Sequence, residues 1–360
     1  MNMNSLSLQK QIITDYSDSY VFDLDISKVD LSVFASLSNN SISRYDATTL
    51  ELIRSVSVHT DRINSFETSS INENIIFTAS SDMTVCMWDW RTDCTSPTVR
   101  LTLPDEVSCV SVGKNELLIG AACGQSLLFF DVRHGNSSLP LAEYSDCHHD
   151  TVTVLKFCPH NLSTVVSGGE DGLVCVFDTS VMADQSAVKS MFCTESPVRK
   201  LGFFGPSAEG MLCLSSIETA SAWHYPTSQR VGNYPNVRVD VAADYLVDSW
   251  YDEQTDTLQI LAGDYAGNAK ICTVDPLRVR AVSVLSGGHR ELIRCTRRRS
   301  STNSSQNTVL FTGGEDSRIC VWSASDSQLT SSNSTVRQNS KTMASPPSEQ
   351  KYTDLRFKPY

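Results

Sequence analysis

Short stretches of alternating apolar and polar residues, each bounded by Gly, Asp, Asn, Ser or Pro, run along most of this 360-residue chain. The region around residue 165 shows the pattern most completely. Val152-Thr-Val-Leu-Lys-Phe157 alternates as a strand, Pro159-His-Asn161 is a turn signal, and 164–168 reads as a second strand. Glu170-Asp-Gly172 predicts a tight turn, 173–177 a third strand of apolar and β-branched residues, and 187–192 an outer strand. Four short strands make a sheet too small to bury both of its faces alone, so such a unit must stack on others.

The unit returns along the chain. SSDMTVCMWDW at 80–90, GEDGLVCVFD at 169–178 and GEDSRICVWS at 314–323 each place an Asp six positions before an aromatic residue. Weaker copies are NNSISRYD at 39–46, CGQSLLFFD at 123–131, ETASAWH at 218–224 and YAGNAKICT at 265–273. Aligning the aromatic or equivalent position gives 45, 88, 130, 177, 223, 272 and 322, at intervals of 43 to 50 residues with one of 42. Seven units at that spacing predict an all-β ring of seven four-stranded blades, each burying its faces against its neighbours.

These repeats resemble the WD-repeat (WD40) family over about residues 17–324, because several positions agree together. His59, Thr78, Asp82 and Trp88 recur as His289, Thr312, Asp316 and Trp322, and as His149, Ser167 and Asp171 with Phe177 in the aromatic place. The resemblance implies a structural role for these side chains, a hydrogen-bonded chain from indole N–H to hydroxyl to His to Asp. It also implies a seven-bladed WD40 β-propeller over 1–324 that binds other proteins and catalyses nothing. Ring closure needs a fourth strand in the last blade, and the apolar segment at 7–14 is expected to supply it. The Ser/Thr-rich stretch 325–360 reads as a disordered tail.

Composition narrows the class. A net charge of −12 disfavours nucleic acid as a partner. No apolar run is long enough to span a membrane, and the first residues lack a cationic start followed by an apolar core, so an intracellular protein of cytoplasm or nucleus is expected. The 12 cysteines include no CxxC pair, and Cys86, Cys175 and Cys320 each lie two residues before the repeat's aromatic position, as free cysteines on buried strands would.

Candidate chemistry is sparse. The two GGED strings, 168–171 and 313–316, fall at the repeat's turn, where Gly and Asp serve backbone geometry. His148-His149 lacks a third metal ligand, and no cofactor is expected. Two aromatic-Asp-x-Arg boxes in adjacent repeats, ending in Asp89 and Arg91 and in Asp131 and Arg133, carry the sharper signal. Within the family such a pair resembles the docking face of substrate receptors for cullin-4 ubiquitin ligases, whose adaptor is damaged-DNA-binding protein 1. The plainer reading has each Asp capping its turn and each Arg pairing locally. Arg297–Arg299 are expected in a loop of the last blade, as a solvated segment, a contact for an acidic partner, or a basic-directed kinase site at Ser300 or Ser301. Trp250-Tyr251 and Tyr225-Pro226 are expected to pack between blades. The alternative from another class is an enzyme or small-molecule-binding propeller with its site in the central channel. A deep polar channel would favour that alternative; an apolar rim patch would favour the protein platform.

Overall fold

The computed structural model describes residues 6–14, 19–27, 29, 31–113, 115–137, 139–181, 184–299 and 308–324. The expected tail at 325–360 and the candidate sites Ser300 and Ser301 lie outside the described residues. Seven four-stranded antiparallel sheets form the β-propeller. Blades 1 to 6 are continuous in sequence, spanning 21–57, 63–102, 107–144, 152–193, 198–234 and 245–285. Blade 7 takes Ile293–Arg299, Val309–Gly314 and Arg318–Ala324 from the end of the propeller and Leu6–Ile13 from its beginning.

That N-terminal strand closes the ring. It runs antiparallel to Arg318–Ala324 with Leu8 opposite Trp322 and Ile13 opposite Arg318. Leu6 and Leu8 join the core of Tyr245, Ile271, Leu310 and Trp322 between blades 6 and 7. On the other side of blade 7, Phe311 and Ile319 pack with Val21, Leu24 and Val33 of blade 1. Each hydrophobic core is shared by two blades, so no blade is stable without a neighbour.

All seven aligned positions lie on the third strand of their blades. At Tyr45, Phe177, Trp223 and Cys272 the pairing with the outer strand slips by one residue, so Cys272 is the true counterpart of the aromatics despite its chemistry. A second irregularity marks the innermost strand of every blade. Its pairing slips after the first residue, as between Val21 and Asp23, Val152 and Val154, or Ile293 and Cys295, and after the second in blade 6, between Leu246 and Asp248.

The bulged residue reaches sideways. Asn64 Nδ2 donates to the Val107 carbonyl at 2.9 Å, Ser108 Oγ to Val152 at 2.6 Å, and Arg199 Nη2 to Leu246 at 2.5 Å, each bond crossing to the next blade's innermost strand. Three residues further on, Asp25 accepts from the Thr68 N–H at 2.8 Å, Glu67 from Val112 at 3.0 Å and Ser111 from Phe157 at 3.3 Å. Polar residues of the inner strands therefore stitch blade to blade, satisfying backbone donors that no ladder reaches.

Alternating strand direction sorts the connections. Turns between second and third strands, and the links between blades, lie at one end of the ring. Turns between first and second strands, and between third and outer strands, lie at the other. We call these the network end and the box end.

Candidate interaction surfaces

At the network end, three blades carry the side-chain chain from strand to turn. In blade 2, Trp88 Nε1 donates to Thr78 Oγ1 at 3.0 Å, His59 Nε2 lies 2.7 Å from that oxygen, and His59 Nδ1 lies 2.9 Å from Asp82. In blade 7, Trp322 Nε1 donates to Thr312 Oγ1 at 2.9 Å, with His289 at 2.8 Å from Thr312 and 2.9 Å from Asp316. One arrangement satisfies every atom: the hydroxyl accepts from indole and donates to Nε2, and Nδ1–H donates to the carboxylate. It requires a neutral imidazole. Burial lowers the pKa of His59 and His148 against the opposing pull of Asp82 and Asp171. Burial would raise Asp82, but hydrogen bonds from Thr84 and His59 hold its carboxyl below the usual range.

Blade 4 corrects one expectation. The histidine of its chain is His148, not His149: His148 Nε2 lies 2.7 Å from Ser167 Oγ and Nδ1 3.1 Å from Asp171. His149 is exposed and gives only its backbone N–H to Asp171, as Thr60 does to Asp82 and Arg290 to Asp316. The signal was in the spacing, since His59–Asp82 and His148–Asp171 are both 23 residues apart. With Phe177 supplying no N–H, the Ser167 hydroxyl lacks the indole donor of the other blades. His148 is thus occupied, and among the described residues no three His, Cys, Asp or Glu side chains form a metal-holding group.

The GGED strings follow from the same packing. A Cβ on Gly169 would stand 2.8 Å from both Asp171 Oδ1 and His148 Nδ1, and one on Gly314 would stand 2.8 Å from His289 Nδ1. A Cβ on Gly168 or Gly313 would strike Val198 or Val21 of the next blade at 2.7 or 2.5 Å. The first glycine admits the neighbouring blade and the second admits the His–Asp pair.

Inner strands of all seven blades line a cavity of about 810 Å³. It is polar, and its charges face one another. Arg297 lies 3.1 Å from Asp23, 3.2 Å from Asp248 and 3.6 Å from Asp25. Lys156 Nζ donates to the Leu201 carbonyl at 2.6 Å, and burial lowers its pKa. Burial alone would raise Asp248, whose carboxyl Lys200, Lys156 and Arg297 nonetheless hold low. This corrects the expected loop at Arg297–Arg299. These residues end the innermost strand Ile293–Arg299, where Arg297 and Arg298 meet carboxylates; Arg298 pairs with Asp252 at 2.7 Å. Trp250 is half-buried and donates to Gln259 Oε1 at 2.8 Å, while Tyr225 is buried against Phe203.

At the box end the two boxes adopt one geometry. Arg91 Nε lies 3.0 Å from Asp89 Oδ1 and Nη2 lies 2.6 Å from Oδ2; Arg133 repeats this with Asp131 at 2.9 and 2.5 Å. Each Asp also accepts the backbone N–H of its Arg, and in the second box these bonds from Arg133 draw the Asp131 pKa down to about 2. The local pairing leaves the arginine side chain 64 % exposed in one box and 67 % in the other. Nε and Nη2 are used on the carboxylate, and among the described residues no acceptor is bound to Nη1.

The family model for the WD domain, G-beta repeat (WD40), matches residues 50–89, 140–178 and 280–323, which are the repeats of blades 2, 4 and 7. The chain carries WD40 repeats. The WD repeat-containing protein 89 homolog of Dictyostelium discoideum is 26% identical over 319 residues, 86% of this chain and 85% of that protein. WD repeat-containing protein GTS1 of Arabidopsis thaliana is 26% identical over a 381-residue alignment that spans 100% of this chain and 94% of the relative. WD-repeat propellers generally bind other proteins. No helix among the described residues is long and apolar enough to cross a membrane.

Proposed function

We propose that this WD-repeat propeller is a non-catalytic, intracellular platform for protein partners, and that it docks at the box end on damaged-DNA-binding protein 1, the adaptor of cullin-4 ubiquitin ligases. The supporting observation is the matched pair Arg91 and Arg133. Two adjacent blades hold their guanidinium groups in the same pose, each fixed by its own carboxylate while the arginine side chain stays about two-thirds exposed. An arginine already held in one rotamer loses little conformational freedom when a partner's carbonyl or carboxylate takes the remaining donors.

The test is recovery of the purified adaptor with immobilised wild-type chain and with the Arg91→Ala, Arg133→Ala variant. Wild type should retain the adaptor and the variant should lose most of it. Failure of wild type to bind would remove the ligase reading.

The polar channel favours a second reading, a small polar ligand bound among the inner strands. Its charges are largely engaged across blades, Arg297 with three carboxylates and Glu67 with the Val112 N–H, so it ranks behind the platform.

A further inference from the structure

Large apolar side chains are exposed at many points on this surface, and single ones need no explanation. Those at the box end recur at one structural place. The turn between first and second strands carries Leu31 in blade 1, Ile71 in blade 2, Leu117 in blade 3 and Leu162 in blade 4, exposed by 45, 61, 39 and 55 %. The same turn in blades 5 and 6, at 205–209 and 253–256, carries no exposed large apolar residue. Turns at such positions ordinarily display small and polar residues, so four consecutive exceptions form an arc over half the ring.

The arc is built firmly. The Glu116 carboxylate, from the turn of blade 3, accepts the Ile71 N–H at 3.1 Å and the Ser69 hydroxyl at 2.6 Å, and also binds the Ser70 N–H, locking the turn of blade 2 beneath it. Arg44 of blade 1 donates to Ser32 of its own blade and to Asn74 of blade 2, at 3.0 and 3.1 Å. The arc is also continuous with the boxes. The Val132 N–H donates to the Leu117 carbonyl at 3.0 Å, and the Trp90 N–H to the Asn74 carbonyl at 2.7 Å. Arg133 and Arg91 each follow one residue later. Among the described residues of these turns in blades 1 to 4, Arg91 and Arg133 are the only Lys or Arg side chains. They share the turns with Glu73, Asp89, Asp93, Glu116 and Asp131, of which Asp89 and Asp131 lie beneath them and Glu116 is held by the turn of blade 2.

We infer that this arc is an interaction surface for an acidic, apolar segment of a partner protein, its apolar side chains covering Ile71 and Leu117 and its carboxylates meeting Nη1 of Arg91 and Arg133. The occupant follows from complementarity. An apolar strip needs apolar cover, and the two exposed arginine side chains beside it form their strongest hydrogen bonds with carboxylates. Preformed turns need no ordering on binding. The inference rests on the reading that the box end docks protein, but not on the identity of the adaptor.

A displayed library of random peptides panned on the immobilised full chain tests it. Enriched peptides should combine aliphatic or aromatic residues with Asp or Glu. Their affinity should fall at least tenfold for Ile71→Ser with Leu117→Ser, fall likewise for Arg91→Ala with Arg133→Ala, and hold for Val239→Ser, which sits exposed at the network end. All four substituted arc and box side chains are exposed, and a melting temperature near that of wild type checks each variant's fold. Enrichment of Lys- or Arg-rich peptides, no enrichment, or binding indifferent to the Ile71 and Leu117 changes would overturn the inference. Peptide binding indifferent to those two changes on a chain that still retains the adaptor would overturn the inference while leaving the docking reading intact. Acidic apolar peptides enriched on a chain that never binds the adaptor would leave the inference standing and remove the ligase reading.

Discussion

Thr312→Val tests whether the side-chain chains hold the blades as their geometry implies. Thr312 has no exposed surface, and its hydroxyl lies between the Trp322 indole N–H at 2.9 Å and His289 Nε2 at 2.8 Å. Valine fills the same volume, so the change creates no cavity and removes only the oxygen. It leaves two buried polar groups without partners, at about 1–3 kcal/mol each, which sums to about 2–6 kcal/mol. Ser167→Ala in blade 4 strips one partner only, because Phe177 offers no N–H, and should cost about 1–3 kcal/mol. The ratio carries the argument. Urea denaturation of both variants should place the Thr312→Val loss at about twice the Ser167→Ala loss. Trp322→Phe recasts blade 7 in the form of blade 4; in that background Thr312→Val should cost only what Ser167→Ala costs, once the phenylalanine's own packing loss is subtracted in the cycle. Equal losses for the two hydroxyl deletions in the wild-type background, or no coupling between Thr312 and Trp322, would refute the reasoning.

Deleting residues 1–16 removes the strand that pairs with Arg318–Ala324 and the Leu6 and Leu8 side chains packed beside Trp322, so the thermal midpoint should drop sharply; an unchanged midpoint would mean that the ring closes without it. Acid should weaken the fold in two steps. His59 and His148 have folded pKa values below their ordinary 6.5, so the unfolded chain takes up protons first and stability falls as pH drops below that value. Asp82 and Asp171, held below 3.8 in the fold, add a second loss below that value. Denaturation midpoints at pH 7.5 and 5.5 read the first step, and a midpoint that holds or rises at pH 5.5 would contradict neutral histidines in the chains.

The blade count was legible because turn chemistry and strand period repeat together. Even Cys272, which has no aromatic ring, fell at the right place by spacing, and the pairing slip beside it marks it as equivalent. His148 was misread because two adjacent histidines offer the same chemistry, and only the separation from the turn Asp distinguishes them. Arg297–Arg299 looked like a loop because three consecutive cations resemble solvated surface. The cavity carboxylates that receive Arg297 come from the first and sixth blades, and no local pattern announces a contact between Asp23 and a residue 274 positions away. Alternation also misleads at Thr153. Its polarity reads as solvent-facing, yet its hydroxyl donates to the Val198 carbonyl of the next blade. Leu31, Ile71, Leu117 and Leu162 each stand shortly before the second strand of their blade, where an apolar residue reads as core; their exposure emerges only once the turns are placed.

The two ends divide the work of the molecule. The network end holds the buried His–Asp pairs and the glycines that admit them, so substitution there acts on the fold first. Its rim over blades 2 to 4 is also strongly acidic, with Asp61, Asp105, Glu106, Asp146, Asp150 and Glu170 exposed and only Arg62 among them in those turns. An acidic partner segment is repelled from that rim. The box end of the same blades offers apolar turn residues and two arginines whose removal opens no cavity. Selectivity between the faces then comes from contact at the box end, where the apolar turn residues and the side chains of Arg91 and Arg133 are exposed. The chain's net charge of −12 is spread over both ends, since the box end of these blades also carries Glu73, Asp89, Asp93, Glu116, Asp131 and Asp178; an acidic segment is favoured there only beside the exposed side chains of Arg91 and Arg133.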